Sequence, residues 1–126
     1  SFEISGKIMT VDAPDGSIFE HQSFNIAGDE SIQFIQPSAE SRVLNRVVGA
    51  GAKSSIQGNI IANGSVYLVN PAGVVFGSGS SVNVGRLHVV AGSLSNENFN
   101  ASSVDFIKIY INNFHFILFN KVFKRS

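Results

Sequence analysis

Acidic and histidine side chains are the first groups in this sequence that could carry metal chemistry. Asp12, Asp15 and Glu20 lie around Pro14 and Gly16, and carboxylate oxygens are the ligands that calcium prefers. The histidines are scattered and lack the short spacings of zinc ligands; they are His21, His88 and His115. We interpret the acidic cluster as a solvated loop and the histidines as isolated residues. We therefore predict no metal site and no cofactor.

Two glycine-rich stretches could bind a phosphate group. Residues 49–54 contain a lysine, but a phosphate-binding loop has glycine directly before that lysine and a helix after it. Here Ala52 precedes Lys53, and the residues that follow predict a strand. Residues 77–82 lack the third glycine of the dinucleotide fingerprint. Both stretches are therefore predicted to be turns.

Catalytic groups are sparse along the middle of the chain. Residues 53–90 contain Lys53 and Arg86 but no acidic residue, whereas polysaccharide lyases, which also use β-helices, need clustered acidic and basic groups. The sequence has no nucleophile-elbow pattern for a serine hydrolase. We predict that the protein is not an enzyme, and a polysaccharide lyase is the least favoured alternative.

Composition narrows the remaining classes. Nine basic residues balance nine acidic ones across 126 residues, whereas a nucleic-acid-binding domain usually carries a basic patch. Cysteine is absent, which excludes a disulfide framework. Residues 1–10 lack the pattern of a signal peptide and begin without methionine, so we expect a mature or clipped form. No apolar run is long enough for a transmembrane helix.

The body of the chain consists of short segments rich in β-branched and aromatic residues, separated by Gly, Asn, Pro and Ser. This pattern predicts strands joined by turns. Asn63-Gly64 and the four residues from Asn70 to Gly73 are the clearest turn signals, because they supply a positive or a preset φ. The predicted strands are residues 31–35, 43–48, 54–57, 65–69, 74–76, 81–84 and 87–90.

The spacing of these strands indicates a repeating architecture. Ile56 and Val66 are ten residues apart, and Val74 follows Val66 by eight. Ile56 and Val75 are nineteen apart, as if they were stacked in successive coils of about twenty residues. Strands of about four residues are short for hairpins, so the spacing favours a β-solenoid, in which each coil pairs with its neighbours. Spacing alone leaves a β-sandwich open.

Several ordered motifs give the chain a family resemblance. Residues 23–26, 32–37, 43–47, 54–58, 62–64, 69–77 and 82–87 together resemble the haemagglutination-activity domain of filamentous-haemagglutinin-type exoproteins. That domain is the secretion domain of two-partner secretion substrates. The resemblance covers about residues 2–99 and is dense from 23 to 92. Several motifs at matching spacing make it more specific than any single motif.

The resemblance implies an all-β fold, a right-handed parallel β-helix with an N-terminal cap. It implies secretion to the bacterial cell surface through a partner outer-membrane β-barrel transporter, whose periplasmic POTRA domains bind the substrate. Residues 70–74 are similar to the family's Asn-Pro-Asn-Gly-Ile element, with Ala72 and Val74 as the departures. Family domains continue well beyond this length, so the resemblance implies a truncated chain.

The same resemblance suggests candidate recognition residues. Asn70, Pro71 and Gly73 are candidates for transporter recognition, although we favour a structural turn in which Asn70 caps the bend and Gly73 takes a positive φ. The further residues of the family motif are Asn45, Arg46, Val47, Asn63 and Gly64. We expect Arg46 on the outer face, with Leu44 and Val47 inside or against the cap.

The last 27 residues differ from the rest of the chain. All twelve glycines lie at or before Gly92, and the net charge is −3 over residues 1–99 but +3 over residues 100–126. We therefore divide the chain into a secretion domain, residues 1–99, and an atypical tail rich in Phe, Ile, Asn and Lys. We hypothesise that the tail results from read-through of a frameshift or of non-coding DNA. The alternative is an amphipathic β-hairpin with Ile109, Ile111, Phe114 and Phe116 on one face.

The leading interpretation is a non-catalytic secretion domain of a large surface exoprotein or adhesin. The sequence does not distinguish an adhesin from a haemolysin or a contact-dependent toxin, because those activities would lie downstream, as would any contact with host or cell-surface glycans. The alternatives are a standalone carbohydrate-binding or structural solenoid, or a nonfunctional remnant.

Overall fold

The computed structural model describes residues 2–5, 7–49, 51–92, 95–100, 110–111 and 117–118. Within these residues the chain forms thirteen short strands and one short helix. The strands are β1 (Phe2–Ser5), β2 (Ile8–Asp12), β3 (Ser17–His21), β4 (Ser31–Ile35), β5 (Arg42–Val47), β6 (Ser54–Ile56), β7 (Asn59–Ala62), β8 (Ser65–Val69), β9 (Val74–Phe76), β10 (Ser81–Asn83), β11 (Arg86–Val90), β12 (Tyr110–Ile111) and β13 (Ile117–Leu118), and α1 is Asn96–Asn100.

Three sheets run along a β-solenoid. Sheet A has the order β1-β2-β4-β7-β10-β13, sheet B has β11-β8-β5-β3, and sheet C has β12-β9-β6. Each coil therefore supplies one strand to each sheet in turn: β4, β5 and β6 form the second coil, and β7, β8 and β9 form the third. The first coil reaches sheet C only through the bridge from Ile26 to Ile56. About four coils are stacked in this way.

The direction of strand pairing separates the solenoid from its cap. Every pair between successive coils is parallel, as in β4 with β7, β5 with β8 and β6 with β9. Among the described strands β1 alone pairs antiparallel, with β2, and it covers the N-terminal edge of sheet A. An antiparallel cap blunts an edge that would otherwise offer unpaired backbone groups to another chain.

Apolar side chains stack along the inside of the coils. The parallel register places Val43, Val66 and Leu87 in one column of sheet B, and all three are buried. Columns on the other two sheets complete the core, including Ile32, Ile60 and Val82 from sheet A and Ile56 and Phe76 from sheet C. The strands bury alternate residues because side chains of a strand point to opposite faces.

A second apolar cluster lies on the outer face of sheet B and is covered by α1. Phe99 is completely buried there against Leu44, Tyr67, Val69 and Val90. The rings of Phe99 and Tyr67 meet edge to face, with their centroids 4.9 Å apart. The Arg42 guanidinium lies 4.8 Å from the Phe99 ring centroid and donates a hydrogen bond to the Phe99 carbonyl oxygen. These contacts hold α1 on the solenoid.

Substituting Phe99 tests this docking. Phe99→Ala is expected to lower the free energy of unfolding by about 3 kcal/mol, because it empties a fully buried aromatic site. Phe99→Leu keeps most of the apolar volume and is expected to cost less than half as much. Urea unfolding followed by circular dichroism measures both values. Equal stability of the wild type and Phe99→Ala would show that α1 does not contribute to the fold.

The structure confirms the predicted all-β solenoid and corrects several details. The strands predicted at 31–35, 65–69 and 74–76 have the predicted bounds, whereas β1, β2, β3 and β7 were not predicted. Ile56 pairs with Phe76 rather than Val75. Paired residues are twenty apart at Ser54 and Val74 but thirty apart at Ile26 and Ile56, because the corner loops differ in length.

The described part of the tail continues the solenoid. β12 pairs in parallel with β9, and β13 pairs in parallel with β10, so the two strands lie in different sheets. A hairpin would require them to pair with each other, and the hairpin alternative is therefore wrong for these residues. Ile109, Phe114 and Phe116 lie outside the described residues. The described part of the chain has no helix that is long and apolar enough to cross a membrane.

Candidate functional site

Asn70 forms the corner at which the chain passes from sheet B to sheet C in the third coil. Its side-chain Nδ2 donates to the carbonyl oxygen of Ala52 and to Ser54 Oγ, each at 3.0 Å. Its Oδ1 accepts a hydrogen bond from the Ala72 backbone N–H at 2.9 Å, which is an Asx turn. Its backbone N–H donates to the carbonyl oxygen of Val90 at 3.0 Å. One asparagine therefore ties the second, third and fourth coils together.

The rest of this corner has the predicted turn geometry. Gly73 N–H donates to the Asn70 carbonyl oxygen at 2.9 Å, and Pro71 at the second position presets φ for such a turn. Gly73 has a φ of 108°, which a residue with a Cβ rarely adopts. Asn70 is 2% exposed, whereas Pro71 is exposed. The folded protein thus presents the proline and hides the amide.

Asn63 and Gly64 form the corner between sheets A and B in the same coil. Asn63 Oδ1 accepts a hydrogen bond from the Gln36 backbone N–H at 2.9 Å, and its Nδ2 donates to the Gln36 carbonyl oxygen at 2.8 Å. The Gln36 side chain also bonds to this corner: its Oε1 accepts a hydrogen bond from the Gly64 N–H at 2.8 Å. Its Nε2 donates to the carbonyl oxygens of Ser41 and Ser65.

One prediction for this corner is wrong, and one of its residues was not predicted. Gly64 does not take a positive φ; among the described glycines only Gly16, Gly51 and Gly73 do. Glycine is required at position 64 for space, since a Cβ there would lie 2.5 Å from the Ser41 carbonyl oxygen. Gln36 was not singled out. A glutamine directly before Pro37 at a strand end was the available signal, and it is weak without the structure.

Asn45, Arg46 and Val47 share β5 but face different environments. Val47 belongs to the interior core, and Asn45 is fully buried with its Oδ1 2.9 Å from His21 Nε2. Arg46 lies on the outer face, where it contacts Glu20 Oε2 at 3.2 Å and Asn96 Oδ1 at 2.6 Å. Arg46 therefore joins the first coil, the second coil and α1.

Leu44 corrects the expectation for its position. It is buried, but it lies on the outer face of sheet B in the cluster beneath Phe99, rather than inside the solenoid or against the cap. Its neighbours in register are Ile18 and Tyr67. Period-two alternation on β5 already places Leu44 and Arg46 opposite Val43 and Val47, and what the sequence did not reveal is that α1 covers this outer face.

A groove of about 340 Å³ lies near the N-terminal end of the solenoid. Met9, Phe24 and Ile26 are among its apolar lining residues, and Lys7 contributes a charge. Lys7 Nζ lies 2.7 Å from Asp29 Oδ2, and this hydrogen bond and charge raise the pKa of Lys7 and lower the pKa of Asp29. Both side chains are well exposed, so the pair contributes little to stability.

The candidate residues thus lie in three separate places: two corners and the two faces of β5. The amides of Asn63 and Asn70 bond to the backbone of the neighbouring coil, and that of Asn45 lies against the His21 side chain of the first coil, so all three have structural roles. Among the described residues, no group of three or more His, Cys, Asp or Glu side chains could hold a metal ion. Asp12, Asp15 and Glu20 are exposed, and Asp15 Oδ1 accepts a hydrogen bond from the Arg42 backbone N–H at 2.9 Å.

The fold defines the class of protein: a parallel β-solenoid with an antiparallel N-terminal cap, whose corners are held by hydrogen bonds from asparagine side chains. The TPS secretion domain family matches residues 5–113, and the chain belongs to this family. The match extends past residue 99, where the sequence resemblance ends. Family membership makes the chain the secretion domain of an exoprotein that is exported from the cell and implies a cognate outer-membrane transporter.

The relatives and a solved structure agree with this assignment. The chain is 40% identical over 107 residues to a heme/hemopexin-binding protein of Haemophilus influenzae strain Rd. The aligned region covers 82% of this chain and 12% of that protein. It is 36% identical over 94 residues to another Haemophilus influenzae heme/hemopexin-binding protein, and this alignment covers 75% of this chain and 10% of that protein. The chain therefore spans about a tenth of the length of these relatives.

The crystal structure of the HMW1 secretion domain from Haemophilus influenzae has the same fold. It superimposes with a TM-score of 0.82 at 27% identity, over 94% of this chain and 33% of that one. The agreement extends over nearly all of the chain, so the stacked coils described above are those of a secretion-domain solenoid.

Proposed function

We propose that the transporter recognises this domain while it is unfolded, and that the Asn70 corner acts afterwards, when the domain folds outside the cell. The observation that carries this proposal is the burial of Asn70, whose side chain is 2% exposed with both its oxygen and its nitrogen hydrogen-bonded inside the protein. A partner that meets the folded domain reaches Pro71 but not the Asn70 amide. The family's signature asparagine is available to a partner only before the coils close.

The recognition partner in this proposal is the set of periplasmic POTRA domains of an outer-membrane β-barrel. An extended chain can add a strand to the edge of a POTRA sheet through its backbone, and its alternate apolar side chains supply specificity. The short strands of this chain, with one buried stripe each, suit that mode of binding. The segments presented in this way would contain the family-motif residues Asn45, Arg46, Val47, Asn63, Gly64, Pro71 and Gly73.

The nearest-neighbour architecture supports folding after export. Each coil of a solenoid contacts the coils before and after it, so coils can be added one at a time from an existing end. The antiparallel β1 and β2 pair supplies a starting end, and each corner asparagine joins a new coil to the one before. Folding on the outside would then prevent the chain from sliding back.

The domain itself is proposed to be non-catalytic and to leave its exoprotein on the bacterial cell surface. The activity of that exoprotein would lie downstream, as adhesion to host or cell-surface glycans or as the capture of a heme-carrying protein. The second possibility is prompted by the names of the two relatives, whose other nine-tenths this chain does not cover.

Binding of purified POTRA domains to two forms of the chain tests the proposal. Gly58→Ala, in which a Cβ would overlap the Glu30 and Ala27 carbonyl oxygens, holds the chain unfolded, and the wild-type chain provides the folded form. We expect the unfolded form to bind at least about tenfold more tightly, a difference of about 1.4 kcal/mol. Tighter binding of the folded wild type would refute recognition before folding. Adding Asn70→Ala to the Gly58→Ala chain then shows whether the transporter reads the amide itself.

A further inference from the structure

We propose that Asn63-Gly64 is a modification site that folding closes: the unfolded chain deamidates there, and the folded chain is protected. This is the only Asn-Gly pair in the sequence. Asn63 is exposed in the folded protein, so exposure alone would suggest an open site. The contacts of both reacting groups indicate the opposite.

The chemistry requires the two residues to react with each other. The backbone nitrogen of Gly64 loses its proton and attacks Asn63 Cγ, so that a bond from this nitrogen to Cγ forms. The bond from Cγ to Nδ2 then breaks, and ammonia leaves with the proton. Water opens the resulting five-membered succinimide at either carbonyl and gives aspartate or isoaspartate at position 63. Glycine favours the attack because it has no side chain to obstruct it.

In the folded protein Gln36 holds both reacting groups. The Gly64 N–H, which must lose its proton, is buried and donates to Gln36 Oε1 at 2.8 Å. The Asn63 side chain, which must rotate toward that nitrogen, is held by the Gln36 backbone N–H at 2.9 Å and carbonyl oxygen at 2.8 Å. Gly64 is further fixed because its carbonyl oxygen accepts from the Gly85 N–H at 2.9 Å. Attack therefore requires this corner to open.

Deamidation also prevents the corner from closing again. An aspartate at position 63 has no hydrogen to donate to the Gln36 carbonyl oxygen and places a negative oxygen against it instead. An isoaspartate adds a methylene to the main chain just before β8, which displaces β8 from its parallel register with β5. A chain that stays unfolded too long would thus lose its ability to form the contact between the second and third coils.

The second corner provides an internal control. Asn70 is followed by Pro71, whose backbone nitrogen carries no hydrogen, so it cannot make the same attack in either state. The two corner asparagines of one coil therefore differ in this chemistry because of the residue that follows each.

The test compares the full 126-residue chain in native buffer with the same chain in guanidinium chloride, at one mildly alkaline pH and one temperature. Circular dichroism establishes that each sample is folded or unfolded, and peptide mass mapping follows positions 63 and 70 over time. We expect position 63 to deamidate at least about tenfold more slowly in the folded chain, because reaction there requires local opening. Position 70 should remain unchanged in both samples. Equal rates at position 63, or deamidation at position 70, would overturn the proposal.

A pair of variants tests the consequence for folding. Asn63→Asp reproduces one product of the reaction, and Asn83→Asp makes the same charge change at an exposed position on β10. We expect the folding equilibrium constant of the first variant, measured by refolding from denaturant, to fall at least about tenfold, a loss of about 1.4 kcal/mol, and that of the second to match the wild type. Wild-type refolding of Asn63→Asp would show that deamidation leaves the corner functional.

Discussion

Asn70→Ala is expected to lower the free energy of unfolding by roughly 2–4 kcal/mol, among the largest losses for a single side chain in this domain. The substitution removes three side-chain hydrogen bonds, so that Ser54 Oγ and the Ala72 N–H each lose their bond to Asn70. Each buried polar group left unsatisfied costs about 1–3 kcal/mol. Ala52 is exposed, so its carbonyl oxygen can bind water and adds little to the loss.

Equilibrium urea unfolding measures this value, with Asn83→Ala as the matched control. Asn83 is exposed on β10, so its substitution removes the same side chain without opening a corner and should change stability by less than about 0.5 kcal/mol. If both variants unfold like the wild type, the corner does not hold the coils together, and the asparagine would have to be explained by recognition alone.

Gly58→Ala is expected to be more damaging and to leave the chain unfolded in native buffer, because two backbone clashes exceed the roughly 1–3 kcal/mol of ordinary overpacking and small domains are stable by as little as about 5 kcal/mol. A Cβ atom at this position would overlap the carbonyl oxygens of Glu30 and Ala27 and would also press on Ile26 Cγ2. Two of these groups are backbone of the preceding coil and cannot move aside as a flexible side chain could. Relief would require separating the second coil from the first, and stability in a solenoid depends on such contacts between neighbours.

Gly79→Ala is the control for this substitution. A Cβ there would lie 3.8 Å from the Gln57 carbonyl oxygen, which is an ordinary van der Waals distance. We expect Gly79→Ala to retain the circular dichroism spectrum of the wild type, whereas Gly58→Ala loses its β-sheet signal in native buffer. A folded Gly58→Ala would contradict the close approach of the first two coils and would remove this variant as an unfolded reference.

Much of the architecture could be predicted from local patterns. The strands at 31–35, 65–69 and 74–76 were found because alternation and turn residues are local properties, and the Asn70 to Gly73 turn was found because proline and glycine limit φ directly. β2 and β3 were missed, since their half-buried residues alternate weakly. Composition sets the tail apart from the rest of the chain, and no local pattern predicts that its described strands pair with β9 and β10.

The sequence by itself determined the β-solenoid class, the family, and the two asparagine corners. Only the tertiary structure decided that Asn70 is buried, that Gln36 holds Asn63 and Gly64, and that Phe99 covers the outer face of sheet B. The physical reason is the distance along the chain: Gln36 and Asn63 are 27 residues apart, and Arg42 and Phe99 are 57 apart. A local pattern indicates the backbone preference of a residue. The contacts that the residue makes with other coils depend on how many residues each coil contains.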